Sequence, residues 1–188
     1  MAADSTDDPF DLDFTSLFSE KTTVPEPAPT PTEQKAMTDE AVIGEEKLTS
    51  NGYFVRINQN APRRKPKSDP PLVLVVEDDT VTATLLLRIL KGNGYQVKHA
   101  ADRAGIVQGL KATPDLVILD VLMPDANGFD ILNRIRKHPS LKELPVLMLT
   151  SLGALDDILK GLKMGATGYL TKPAKSKALL DAIKQVLA

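Results

Sequence analysis

From residue 72 to the end of the chain, short apolar runs alternate with stretches whose apolar positions recur every three or four residues. The runs are too short for helices and too continuous for half-exposed strands, so they predict strands buried on both faces, with amphipathic helices between them. Strands are expected at 72–76 (LVLVV), 95–99 (YQVKH), 115–119 (DLVIL), 145–149 (PVLML) and 168–170 (GYL), and helices over about 80–92, 102–112, 127–138, 154–164 and 176–187. The first helix is expected to bury Val81, Leu85, Leu86 and Ile89 and to stop at Gly92 and Gly94; the last to bury Leu179, Leu180, Ile183 and Leu187. Gly105 and Gly109 should weaken the second helix by roughly 1 kcal/mol each relative to alanine. Strict alternation of strand and helix implies an α/β fold, a parallel sheet covered on both faces.

The first 70 residues behave differently. They lack sustained apolar periodicity, and PEPAPTPT at 25–32 reads as an extended spacer. Nine of the 14 prolines fall in residues 1–71, and residues 1–69 hold 8 basic against 13 acidic side chains, whereas the remainder is net positive. The chain therefore divides into a largely disordered N-terminal extension, 1–70, and one domain, 71–188. Two patches interrupt the extension. Phe10, Phe14, Leu17 and Phe18 share one helical face, which reads either as an apolar cluster in a floppy tail or as a short docking helix at 10–18. Asn51-Gly52 followed by YFVRI looks like a turn leading into a short strand.

The chain has no cysteine, which excludes disulfides and thiol chemistry. No apolar run reaches the roughly 20 residues needed to span a bilayer, so a cytoplasmic location without membrane insertion is expected. The cluster Arg63, Arg64, Lys65 and Lys67 has no interleaved aromatics, and no helix-turn-helix or zinc pattern is present, so direct nucleic-acid binding is not expected.

Chemistry gathers at the strand ends. Glu77 and Asp78 follow the first strand, Asp120 the third, Thr150 the fourth, and Lys172-Pro173 the fifth. The carboxyl edge of an open parallel sheet is where such folds bind ligands. Three carboxylates brought together there repel one another unless a hard cation joins them, and oxygen ligands without Cys or His suit Mg2+ or Mn2+. A lysine and a hydroxyl beside them are placed to hold an anion. Asp79, Asp125, Asp156 and Asp157 are assigned to helix starts and surface, and His99 and His138 to the periphery.

These five positions, in this order and spacing, resemble the receiver domain of bacterial two-component response regulators over 72–188. The resemblance implies a five-stranded, doubly wound, flavodoxin-like sheet of order 2-1-3-4-5, and a phosphorylation switch rather than an enzyme with turnover. It implies Asp120 as acceptor of a phosphoryl group from a sensor histidine kinase or histidine phosphotransfer protein. Mg2+ would be held by Asp78, Asp120 and the Leu122 backbone carbonyl, with Glu77 acting through a water. Lys172 would neutralise a phosphoryl oxygen, and Lys172-Pro173 would be a cis peptide. Thr150 would bind another oxygen, and its movement would let Tyr169 turn from exposed to buried, altering the surface of the fourth helix, last strand and fifth helix for an unknown protein target.

Some positions depart from the family pattern. Leu122 and Leu152 put apolar bulk near the path of hydrolytic water, which implies slow loss of phosphate. Thr167 stands where an acid is common and Ala182 where an arginine often lies, so the charge network used for dimerisation lacks two members and a monomer or weak dimer is expected. Two other roles remain open at this point: a phosphate shuttle or sink among several kinases, and a metal-dependent phosphatase or phosphotransferase. For the last, Leu122 occupies the place where a second acid is usually needed.

Overall fold

The computed structural model describes residues 47–49, 53–58, 60–61, 64–124, 126–151 and 155–188. The patch at 10–18, the spacer at 25–32, Asp125 and Leu152 lie outside them. The elements in chain order are β1 (Lys47–Thr49), β2 (Tyr53–Ile57), β3 (Leu72–Val76), α1 (Thr80–Gly92), β4 (Gln96–Ala100), α2 (Arg103–Lys111), β5 (Leu116–Asp120), β6 (Leu122–Met123), β7 (Ala126–Asn127), α3 (Gly128–Lys137), β8 (Val146–Thr150), α4 (Leu155–Lys163), β9 (Gly168–Thr171) and α5 (Ser176–Val186).

Five of these strands, β4-β3-β5-β8-β9, form a parallel sheet with the order 2-1-3-4-5 when counted along the chain. The side-chain period of two splits each central strand between two cores. Leu74 and Val76 of β3 join α2, α3 and α4 on one face, through Ile106, Leu132 and Ile158. Val73 and Val75 join α1 and α5 on the other, through Leu86, Leu90 and Leu179. This two-sided burial explains the unbroken apolar runs that identify the strands in the sequence.

Three expectations need correction. Val81 and Leu85 are exposed, at 75% and 47%, and α1 instead buries Ala83, Leu86, Ile89 and Leu90. Residues 83, 86 and 90 follow the i, i+3, i+7 rhythm of the face lying on the sheet, which leaves 81 and 85 along its outer border. In α5 the buried face is Leu179, Ala182, Ile183 and Val186, with Leu180 and Leu187 only half-buried. The glycines of α2 serve packing: a Cβ at Gly109 would stand 2.4 Å from Leu74 Cδ1, so the helix reaches its distance from β3 only without one.

The third correction concerns residue 70 as a boundary, because the described residues before it belong to the same sheet. β2 pairs antiparallel with β9, and β1 with β2, giving a sheet of seven strands among the described residues. Farther along, buried Asp115 accepts hydrogen bonds from the Lys67 amide at 2.6 Å, the Leu72 amide at 2.9 Å and the Ser68 hydroxyl. Burial pushes the Asp115 carboxyl up, but these three donors outweigh it and hold it below the usual range. The strand at 53–57 was legible in the sequence and its docking was not; the expected turn at Asn51-Gly52 lies outside the described residues.

Candidate functional site

Parallel register brings the chemical residues together. Val76 lies opposite Leu119, Asp120 opposite Leu149, and Thr150 opposite Thr171. The residues that follow, Glu77, Asp78 and Lys172, therefore emerge at one edge beside Asp120 and Thr150. Glu77 extends the ladder by one step, its amide donating to the Ala100 carbonyl at 3.1 Å. Asp79 does not join them; it caps α1 by accepting from the Thr82 amide at 2.7 Å, as its type and position suggested.

One carboxylate oxygen from each of Glu77, Asp78 and Asp120 lies within 4.8 Å of the others. Lys172 Nζ stands 2.6 Å from Glu77 Oε2 and 2.8 Å from Asp120 Oδ2. The other Asp120 oxygen accepts from the Leu122 amide at 3.3 Å. Glu77 and Asp120 are nearly inaccessible, at 1% and 4%, while Asp78 is half-buried. Burial pushes the Glu77 carboxyl above its usual range, the neighbouring Asp120 adds to this, and Lys172 opposes it. Lys172 is pulled down by burial, but its hydrogen bonds to Asp120 and Glu77 outweigh that and raise it. Three acids against one lysine leave the cluster negative. Glu77 Oε2 has the ion pair with Lys172 but no hydrogen bond of good geometry. An all-oxygen set of this charge, this close, fits a small hard cation.

Thr150 is fully buried at the tip of β8, and its carbonyl accepts the Lys172 amide at 2.6 Å. The Lys172–Pro173 peptide is cis. Tyr169 differs from the exposed starting position that the family resemblance implied: its ring is fully buried under α4, where a Cβ at Gly161 would come within 2.9 Å of it. Burial lifts its phenol to about 12, although nearby Thr150 works the other way, and its hydroxyl makes no hydrogen bond of good geometry. Leu122 is half exposed and pairs with Asn127 in the β6–β7 turn.

Two supporting residues were missed from sequence. His99, read as peripheral, uses Nε2 to donate to the Glu77 carbonyl at 2.8 Å, steadying the acid pair from β4. Gly128 opens α3 directly against the acceptor: a Cβ there would lie 2.3 Å from the Asp120 carbonyl oxygen and 2.8 Å from Val121 Cα. Asn127 caps the same helix through the Phe129 amide at 2.8 Å. The Asn-Gly pair at 127–128 was the available signal, since it marks a turn where backbone must approach backbone. Beside the site, Thr82, Leu85, Leu86, Ser151, Lys172 and Pro173 line a mostly apolar groove of ≈ 320 Å³.

Comparison with known proteins agrees with this geometry. The family model for the response regulator receiver domain matches residues 73–184. The chain is 35% identical over 118 residues to the DNA-binding dual master transcriptional regulator RpaA of Synechocystis sp., covering 62% of this chain and 49% of that protein. It is 40% identical over 116 residues to the probable transcriptional regulatory protein SilR of Salmonella typhimurium, covering 61% and 50%. The chain thus spans about half the length of these curated relatives. Among solved structures, a putative response regulator from Chloroflexus aurantiacus aligns with TM-score 0.59 and 38% identity, covering 65% of this chain and 98% of that one. The chemotaxis protein CheY4 of Vibrio cholerae aligns with TM-score 0.59 and 35% identity, covering 62% and 98%.

Proposed function

The chain belongs to the response regulator receiver domain family, and on that premise we propose that Asp120 accepts a phosphoryl group from the phosphohistidine of a sensor histidine kinase or a histidine phosphotransfer protein. Receiver domains are signalling switches rather than turnover enzymes. In the transfer, an Asp120 carboxylate oxygen forms a bond to phosphorus while the phosphorus–nitrogen bond of the donor breaks. The imidazole leaves with its electron pair and takes up a proton, and Asp120 becomes an acyl phosphate.

The convergence of Glu77, Asp78 and Lys172 on Asp120 carries this reading. Phosphoryl transfer needs position and charge neutralisation more than covalent help from the protein. Lys172 turns from the Asp120 carboxylate to a phosphoryl oxygen, and Thr150 donates to another. Asp78, Asp120, the Leu122 carbonyl and, through a water, Glu77 would hold Mg2+ or Mn2+, which when bound neutralises phosphoryl charge. The half-exposed apolar edge of α1 along the groove offers a donor protein a place to dock beside the acceptor. With Tyr169 already buried, the response to phosphate passes through Thr150 to α4, whose Gly161 rests on the ring, and so to the helices flanking β9, where a protein target would read it without adding a strand to β9.

The test is intact mass after incubation with acetyl phosphate and Mg2+. The wild-type chain should gain one phosphoryl group, and Asp120→Asn or chelation by EDTA should abolish the gain. A wild-type chain that gains none, or an Asp120→Asn chain labelled equally, would overturn the proposal.

A further inference from the structure

The last parallel strand of a sheet normally leaves a row of unpaired amides and carbonyls open to any strand that can add to it. Here Val55, Arg56 and Ile57 pair with Leu170, Tyr169 and Gly168 of that strand. We infer that the face of α4, β9 and α5 is a groove for an extended segment carrying an apolar residue followed by an amide, and that the chain's own Tyr53–Asn58 is its resident occupant, closing the face to a second copy or to any partner that would add a strand to β9. The inference goes beyond the phosphoacceptor reading and does not depend on it.

Asn58 is the strongest observation. It is 5% exposed, and its backbone amide donates to the Thr167 carbonyl at 2.9 Å. Its side-chain nitrogen donates to the Leu162 and Ala166 carbonyls, each at 3.2 Å, and its side-chain oxygen accepts from the Asn60 amide at 3.0 Å. Leu162 lies in the last turn of α4, where its carbonyl also accepts the Gly165 amide at 3.0 Å, and Ala166 leads into β9, so one side chain ties the end of the helix to the start of the strand. An amide with both donors and its acceptor engaged is the fitted end of the segment.

Ile57 supplies the apolar part. It is 7% exposed and joins Leu170, Leu179, Ala182 and Ile183 in one core. Thr167 and Ala182, the two positions without the expected charges, are buried in the same region, at 0% and 1%. The Thr167 hydroxyl accepts the Val146 amide at 3.0 Å, and a charge at either position would have to be taken out of water, so the small and neutral residues suit a covered face. Among the described residues, β1 then backs β2 with its three residues.

The experiment uses the full chain and its Asn58→Asp variant, which sets a carboxylate against the carbonyls of Leu162 and Ala166. Backbone hydrogen exchange is followed for residues 53–58, with 116–120 of the central strand as the reference for the fold, and binding of a labelled synthetic peptide of residues 47–61 is measured by anisotropy. Residues 53–58 should exchange at least about 10-fold slower than free chain in the wild type and lose that protection in the variant. The peptide should bind the variant at least about 10-fold more tightly than the wild type. If Asn58→Asp disturbs the reference strand, Ile57→Ala, which adds no charge, is held to the same expectations. Free-chain exchange at 53–58 in the wild type, equal protection in wild type and variant, or a peptide that binds both alike or neither, would overturn the inference. Acetyl phosphate labelling of Asp120 in the same samples separates failure here from failure of the phosphoacceptor reading.

Discussion

Replacing Gly128 by alanine should damage the acceptor and the fold together. The added Cβ would meet the Asp120 carbonyl oxygen at 2.3 Å and Val121 Cα at 2.8 Å. Both are backbone atoms, so no rotamer change relieves the contact, and the start of α3 and the end of β5 must part by about 1 Å to reach ordinary separations. Overpacking of this kind costs about 1–3 kcal/mol, against a gain of about 0.5–1 kcal/mol for replacing a glycine in a helix. A net loss of up to roughly 2.5 kcal/mol follows, or a fall in Tm of up to about 10 °C at 2–4 °C per kcal/mol. Gly92→Ala is the control: no atom lies within 4 Å of its Cβ and its φ is not positive, so it should be neutral or stabilise by up to about 1 kcal/mol. Urea denaturation of both variants measures the stability change. Because the Lys172–Asp120 contact is only 2.8 Å long, the same shift should slow labelling by acetyl phosphate about 10-fold or more in Gly128→Ala alone. A Gly128→Ala chain with wild-type midpoint and wild-type labelling would refute the reasoning.

Glu77→Gln removes one of three crowded acids, two of them nearly inaccessible, and should raise the urea midpoint in EDTA while reducing the extra stability conferred by Mg2+; a lower midpoint in EDTA would contradict the charge argument. For Tyr169, the phenol sits near 12 in the folded chain against about 10 unfolded, so its contribution is fully present below pH 10 and lost as pH rises through 12. That loss is about 2.7 kcal/mol at most, and Tyr169→Phe should lack it, so the wild type should lose stability relative to the variant between pH 10 and 12; parallel pH profiles would count against it. Leu122, half exposed beside the acceptor, should slow hydrolysis, so Leu122→Asn should shorten the lifetime of the phosphorylated chain, and a lifetime that is unchanged or longer would remove that role.

The sequence by itself determined the parallel sheet, its strand order through the family resemblance, and the identity of the clustered groups. It could do so because strands buried on both faces must be written as unbroken apolar runs, and because each functional side chain sits one or two residues from the end of such a run. Lys172, Thr150 and the three acids were therefore readable as a group before any distance was known. Tertiary structure decided what depends on partners far along the chain. The outer border of α1 carries apolar residues, and only the sheet beneath shows that Val81 and Leu85 face away from it. Gly128 and Gly109 look like breakers until the backbone of Asp120 and the side chain of Leu74 are placed against them. The same holds most strongly for Asn58, whose two acceptors lie more than 100 residues away: an asparagine after a short strand is ordinary in sequence, and its meaning comes from carbonyls that only the folded chain brings within hydrogen-bond reach.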